Sequence, residues 1–273
     1  MDVCKLCLQT ALLEDSHFMP ASLYNYCRGA AGEDPILVTP QFAMSTSRQT
    51  SDYVFCSGCE DVFDERGEKW LTPKLARYRG EFPLYDLVTA GPLVLSESDY
   101  AVHGASQNGR VDVPKIIHFA LGLFYKAAVH AWSGTSSEPR LDLGPYREEI
   151  RRYLRGGALP NNAALNVVLA RPGSGSIGFN FPHVGYREST YRTYVVFVPG
   201  VQFMLALGKI IPPELTACSI TEPDSPIFIS DSIAAQSENK VKWALNMARK
   251  TKSFRGAMDK VRAERVKASS GQS

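Results

Sequence analysis

The sequence has little net charge, no long apolar run and few cysteines, and each shortage excludes something. Thirty Lys and Arg stand against 28 Asp and Glu, a formal net charge of +2. No global field therefore draws the chain onto nucleic acid or an anionic surface, and any basic contact must be local. A hydrophobic fraction of 44% excludes a chain too polar to fold. At 273 residues, the chain can bury one sizeable core plus a small satellite. The longest apolar stretch, Ile116 to Trp132, is interrupted by His118, Lys126 and His130, which makes it too short and too polar for a membrane span. The opening Met1-Asp2-Val3-Cys4 lacks the basic head and apolar run of an export signal. The expectation is a soluble, cytoplasmic protein with no membrane partner. There is no internal repeat and no Gly-x-Ser-x-Gly elbow to nominate a nucleophile. Gly173 to Gly178 has the Gly-x-Gly-x-x-Gly spacing, but it follows Arg171-Pro172 and leads into aromatic, strand-like sequence instead of a helix. The stretch reads as a hairpin loop, not a dinucleotide site.

Six cysteines in such a chain do not make a disulfide scaffold. Four of them form two Cys-x-x-Cys pairs, Cys4-Lys5-Leu6-Cys7 and Cys56-Ser57-Gly58-Cys59. Two intervening residues let both thiolates face one ion while backbone amides turn toward the sulfurs, and two such knuckles complete a closed tetrahedral zinc site. A redox Cys-x-x-Cys occurs once, between a strand and a helix of a βαβ unit, and does not fit two copies flanking a polar segment. Cys27 and Cys218 stand alone and read as buried apolar thiols. Between the knuckles, Pro20 to Tyr26 suits a short helix, Glu33-Asp34-Pro35 a turn, and Ile36-Leu37-Val38 and Tyr53-Val54-Phe55 strands. After Cys59, the acids of Glu60-Asp61-Val62-Phe63-Asp64-Glu65-Arg66 suit a helix first turn, which Gly67 would end. Knuckle, strand, second knuckle and helix describe a treble clef whose folding is coupled to zinc.

The order Cys-x-x-Cys, His-x-x-Pro, Cys-x-x-Cys resembles the zinc-containing branch of the HNH (ββα-metal) endonucleases. More closely, it resembles a group of largely uncharacterised bacterial HNH-like proteins. The shapes are Cys4-Lys5-Leu6-Cys7, Ser16-His17-Phe18-Met19-Pro20 running on to Leu23-Tyr24, and Cys56 to Glu68. The likeness covers roughly the first 75 residues. It implies that His17 is the general base that activates water for phosphodiester attack, that Glu60 is a ligand of a catalytic Mg²⁺ or Mn²⁺, and that Ser16 stands where the family has its other ligand, usually Asp. Glu68 is a further carboxylate near this site, with a solvated helix end as its plainer reading. The plainer reading of His17 is a brace for the zinc fold.

The rest of the chain sets the expected organisation: a zinc-binding module over 1–75, a connector over 76–110, an α+β domain over 111–267 and a disordered tail over 268–273. Arg66, Lys69, Lys74, Arg77 and Arg79, interleaved with Trp70 and Tyr78, are candidate nucleic-acid contacts, and Trp70 also reads as a core anchor. Asp112-Val113-Pro114 is a helix start, and Lys115 to Trp132 is apolar around most of its circumference, as for a central buried helix. His118 and His130, twelve residues apart with no acidic or Cys neighbour in sequence, read as core or rim histidines. Gly144 to Arg155 reads as an amphipathic helix stopped by Gly156-Gly157, and Leu165 to Leu169 as a strand. Tyr194 to Val198 and Val201 to Leu205 read as antiparallel strands about Pro199-Gly200. Helices followed by strands make the fold class α+β. Lys240 to Lys267 is a basic amphipathic stretch suited to nucleic acid or an acidic partner. Two functions follow as expectations: an HNH-like protein engaging nucleic acid, with metal-dependent endonuclease cleavage as its candidate activity, or a non-catalytic zinc module serving the larger domain, with a protein partner left open.

Overall fold

The computed structural model describes residues 1–232 except 29–31, 33, 39–42, 78–79, 106–108, 133–139, 174–177 and 223. Strands β1 (Asp2–Val3) and β2 (Thr10–Ala11) pair on either side of the first knuckle. Strand β3 (Leu13–His17) leads to helix α1 (Ala21–Tyr26), then β4 (Ile36–Val38) pairs with β5 (Ala43–Ser45). Strand β6 (Ser51–Cys56) returns antiparallel to β3, with Leu13 opposite Cys56 and His17 opposite Ser51. Helix α2 (Ser57–Phe63) begins directly from Cys56, so the second knuckle is a strand-to-helix junction.

Gly67 does not end this helix. The backbone continues through a π-helical turn, Asp64–Glu68, into α3 (Lys69–Leu71) and a 3₁₀ turn over Thr72–Lys74. The reason for a glycine here is packing. A Cβ at Gly67 would lie 2.9 Å from the backbone nitrogen of Phe119, on the long helix that crosses at this point. The extra residue of a π turn lets the helix pass that crossing without breaking.

The stretch expected as a connector contributes α4 (Pro83–Thr89) and two strands, β7 (Leu93–Ser96) and β8 (Tyr100–Gly104). Helix α5 (Val113–Val129) opens on Asp112, whose carboxylate accepts the Lys115 N–H at 3.2 Å, with Pro114 in the first turn. It is buried along almost its whole length. Helix α6 (Tyr146–Leu154) turns Ile150 and Leu154 inward and ends before Gly156, which takes the left-handed φ of 100°. Then follow β9 (Ala163–Leu169), β10 (His183–Arg187), β11 (Tyr191–Val198), β12 (Val201–Gly208), α7 (Pro213–Ala217) and β13 (Pro226–Ser230).

Seven strands form one sheet in the order β10-β11-β12-β9-β13-β8-β7, antiparallel throughout except for β13 beside β9. The fold is α+β with a mixed sheet. The β11–β12 turn is Pro199-Gly200, with Gly200 at φ 81°. Proline followed by a left-handed glycine is the type II signature. A Cβ on Gly200 would also meet Phe82 and Ala76 within 2.7 Å, so these two side chains seat directly on this turn. Phe203 of the sheet meets Phe119 of α5, and Phe18 of the module meets Trp132 at 5.4 Å. One apolar cluster runs from Cys4, Leu6 and Phe55 through Leu123 to Val196 and Ile229. His118 is inside it. Its Nε2 lies 3.2 Å from the Leu154 carbonyl, which can only accept, so Nε2 carries the proton and the buried Nδ1 is left without a partner. Among the described residues no helix is long and apolar enough to cross a membrane.

Candidate metal centre and adjoining polar cluster

The sulfurs of Cys4, Cys7, Cys56 and Cys59 all lie within 4.8 Å of one another. Cys7 and Cys56 Sγ are 3.8 Å apart, and all four residues are free thiols. Bonds of about 2.3 Å around a tetrahedral ion would put the sulfurs roughly 3.8 Å apart, whereas a disulfide requires about 2.05 Å. Cys4 and Cys59 are buried and the other two half-buried, as in a closed structural site. The knuckle is locally strained: Leu8, directly after Cys7, holds a left-handed φ of 64°, with its N–H on the Cys4 carbonyl at 2.9 Å. A non-glycine residue stays in that region only where its surroundings fix it. Burial pushes the Cys4 thiol up, but the backbone N–H groups of Cys7, Cys56 and Leu6 outweigh it and bring it down to about 7. Donor type, spacing and these amides fit a tetrahedral ion of the zinc type.

The ββα unit β3–β6–α2 also gathers the other residues that the resemblance singles out. Ser16 and His17 end β3, Glu60 stands in the first turn of α2, and Glu68 closes the π turn. Burial pushes the Glu60 carboxyl above its usual range, against the opposing pull of Lys126, the Ser16 hydroxyl and His17. Glu60 Oε1 is buried and has no hydrogen-bond partner. His17 is half-buried, not sealed into the apolar core. Sequence reasoning missed the residue at the centre of this cluster, Lys126 of α5. It is 1% exposed and donates to Glu68 Oε1 at 2.8 Å and to the His17 carbonyl at 3.2 Å, with its ammonium 4.7 Å from the Phe63 ring centroid. The available signal was a lone charge in an apolar helix, because a buried lysine must be paired. Asp52 and His130 join the same faces at 2.8 Å.

A second, divalent metal fits this cluster poorly. Ser16 is 1% exposed and its Oγ already accepts the Phe55 N–H at 3.1 Å. Glu68 Oε1 is taken by Lys126, and the unpartnered Glu60 Oε1 feels the same ammonium. Mg²⁺ demands a near-octahedral oxygen shell and keeps several waters. An ammonium already seated among these carboxylates opposes a second cation there.

The candidate phosphate contacts do not join this cluster. Lys69 faces Glu65 at 4.0 Å, and Lys74 lies over the Trp70 ring and donates to the Trp70 carbonyl. Arg77 bonds Glu81, the Pro73 carbonyl and the Tyr26 hydroxyl, while Arg66 rests against Gly156. Trp70 is half-buried against the core. Arg79 and the basic stretch 240–267 lie outside the described residues. Of the lone cysteines, Cys27 is pushed up to about 12 by burial, which keeps it an inert thiol at neutral pH. Comparison with protein-family models, with curated proteins and with solved structures gave no match.

Proposed function

We propose that the chain is a zinc-stabilised, HNH-like treble-clef protein that binds without cutting, with Lys126 standing where a nuclease of this design would hold its divalent metal. The observation that carries this reading is the buried Lys126 ammonium, fixed between Glu68 and the His17 carbonyl. A lysine already paired with Glu68 in the cluster opposes the entry of a second cation. The charge distribution suggests where nucleic acid would be engaged. Residues 1–65 carry ten acidic and three basic side chains, and residues 240–267 carry ten basic and two acidic. Phosphates are attracted to the second segment and repelled by the first.

A second reading, a phosphodiester endonuclease with His17 as general base, draws on the nearness of His17 to Glu60 and on the unpartnered Glu60 oxygen. One set of assays separates the two. Zinc-loaded wild type is incubated with plasmid, single-stranded DNA and RNA in Mg²⁺ or Mn²⁺, and binding to the same substrates is followed by gel shift. The expected result is intact substrate, with salt-sensitive binding that disappears on truncation after residue 239. Metal-dependent cutting that is lost in His17→Ala, with zinc and fold retained, would instead establish the nuclease.

A further inference from the structure

The first knuckle is gripped from outside by two side chains of the larger unit. The Tyr125 hydroxyl of α5 donates to the Lys5 carbonyl, and Arg151 Nη1 of α6 donates to the Leu6 carbonyl at 2.8 Å. Lys5 and Leu6 are the two residues between Cys4 and Cys7. Each of these carbonyls shares a rigid peptide plane with the next residue's N–H. The Lys5 carbonyl is coplanar with the Leu6 N–H, and the Leu6 carbonyl with the Cys7 N–H. Those two N–H groups are among the amides directed at the Cys4 sulfur. A donor on the carbonyl therefore fixes the tilt of the plane and polarises the amide at its other edge toward sulfur.

Arg151 is itself held in place. Its Nε and Nη2 bond the two oxygens of Glu148 at 2.7 and 2.8 Å, a bidentate fork that leaves Nη1 for the knuckle. The Arg151 side chain is only 14% exposed, and Tyr125 only 1%. The guanidinium is also close enough to Cys7 to feel its charge. A four-thiolate zinc centre carries net negative charge, which a neighbouring cation offsets.

We infer that Tyr125 and Arg151, with Glu148 orienting the arginine, are outer-sphere positioning residues of the metal centre, setting how tightly the Cys4/Cys7 knuckle holds its ion. The inference rests on the zinc reading of the four cysteines. By linkage it also works in reverse, so metal binding strengthens the seating of α5 and α6 on the module.

The test measures zinc transfer from the full-length protein to a chromogenic chelator, together with the thiolate-to-metal charge-transfer band of the cobalt(II)-substituted protein. Arg151→Ala and Tyr125→Phe are each expected to weaken zinc binding about 10- to 100-fold and to move the cobalt band. Arg151→Lys, which keeps the charge but loses the fork, should fall between Arg151→Ala and wild type. Glu148→Gln changes only an exposed rim carboxylate and should give a smaller loss in the same direction, even if a core variant fails to fold. Asp52→Asn, which loosens a different module contact, should leave zinc affinity and the cobalt band unchanged. Wild-type zinc affinity and an unmoved band in both Arg151→Ala and Tyr125→Phe would overturn the inference while leaving the zinc site standing, as would an equal loss in Asp52→Asn. A folded wild type that binds neither zinc nor cobalt would overturn the zinc reading and this inference together.

Discussion

The seven-stranded sheet and the cysteine module share one apolar cluster, yet they are ordered by different means. In the sheet, β9, β11 and β12 pair over seven or eight residues each, and Val196, Phe203, Leu205 and Val167 are fully buried between them and α5. Long ladders and a dry face need no further tie. The module has only short ladders, of two, three and five to six residues. It has instead four cysteines placed so that they could hold a metal ion, and side chains sent in from outside: Tyr125 and Arg151 to the knuckle, Lys126 to Glu68 and His17, and His130 to Asp52. Apolar burial is additive and tolerant, whereas polar ties are few and each one matters singly. Small units that cannot bury enough surface are held by such staples.

Removing a tie should therefore cost the module more than its surface area suggests. Lys126→Met would strand Glu68 and Glu60 without their cation, and the expected loss is about 3–5 kcal/mol in denaturant unfolding, most of it recovered by adding Glu68→Gln. A loss below about 1 kcal/mol would make the ion pair incidental. Next in size is a pH effect at the seam between the two regions. Burial holds His118 down to about 4, below its ordinary value of 6.5. Between those values the unfolded chain takes up a proton that the native chain refuses. Stability is thus complete above pH 6.5 and declines as the pH falls toward 4, by on the order of 3 kcal/mol. His118→Gln should flatten that part of the stability–pH profile. The smallest effect is steric. Gly67→Ala pushes a methyl against the Phe119 backbone where the π turn crosses α5, and should lower stability by about 2 kcal/mol without altering the sheet's hydrogen-exchange pattern.

How much of this was legible in the sequence depended on whether the partners were close along the chain. The four-cysteine cluster was readable because Cys-x-x-Cys spacing encodes its own geometry. Helices α5 and α6 and the β11–β12 hairpin were readable from their periodicity and from Asp112, Pro114, Pro199 and Gly200. Strands β7 and β8 were not. Leu93, Val94 and Leu95 are exposed on an edge strand, so no alternation marks them, and the prolines around them suggested a connector. Gly67 reads as a stop because glycine looks the same in sequence whether it ends a helix or admits a neighbour. The closeness of His17 to Glu60 came from family resemblance alone. Lys126 could be known to need a partner, but Glu68 lies 58 positions away. Tyr125 and Arg151 bind backbone carbonyls, which any residue provides, so their partners left no trace in composition or spacing.

The claim at the centre of this account is that a metal holds the module while the sheet holds itself. Hydrogen exchange of the zinc-loaded protein, before and after a chelator strips the metal, tests it directly. The account predicts loss of amide protection in β3, β6 and α2, with β9, β11 and β12 still protected. Unchanged protection in the module, or an equal collapse of module and sheet, would contradict it.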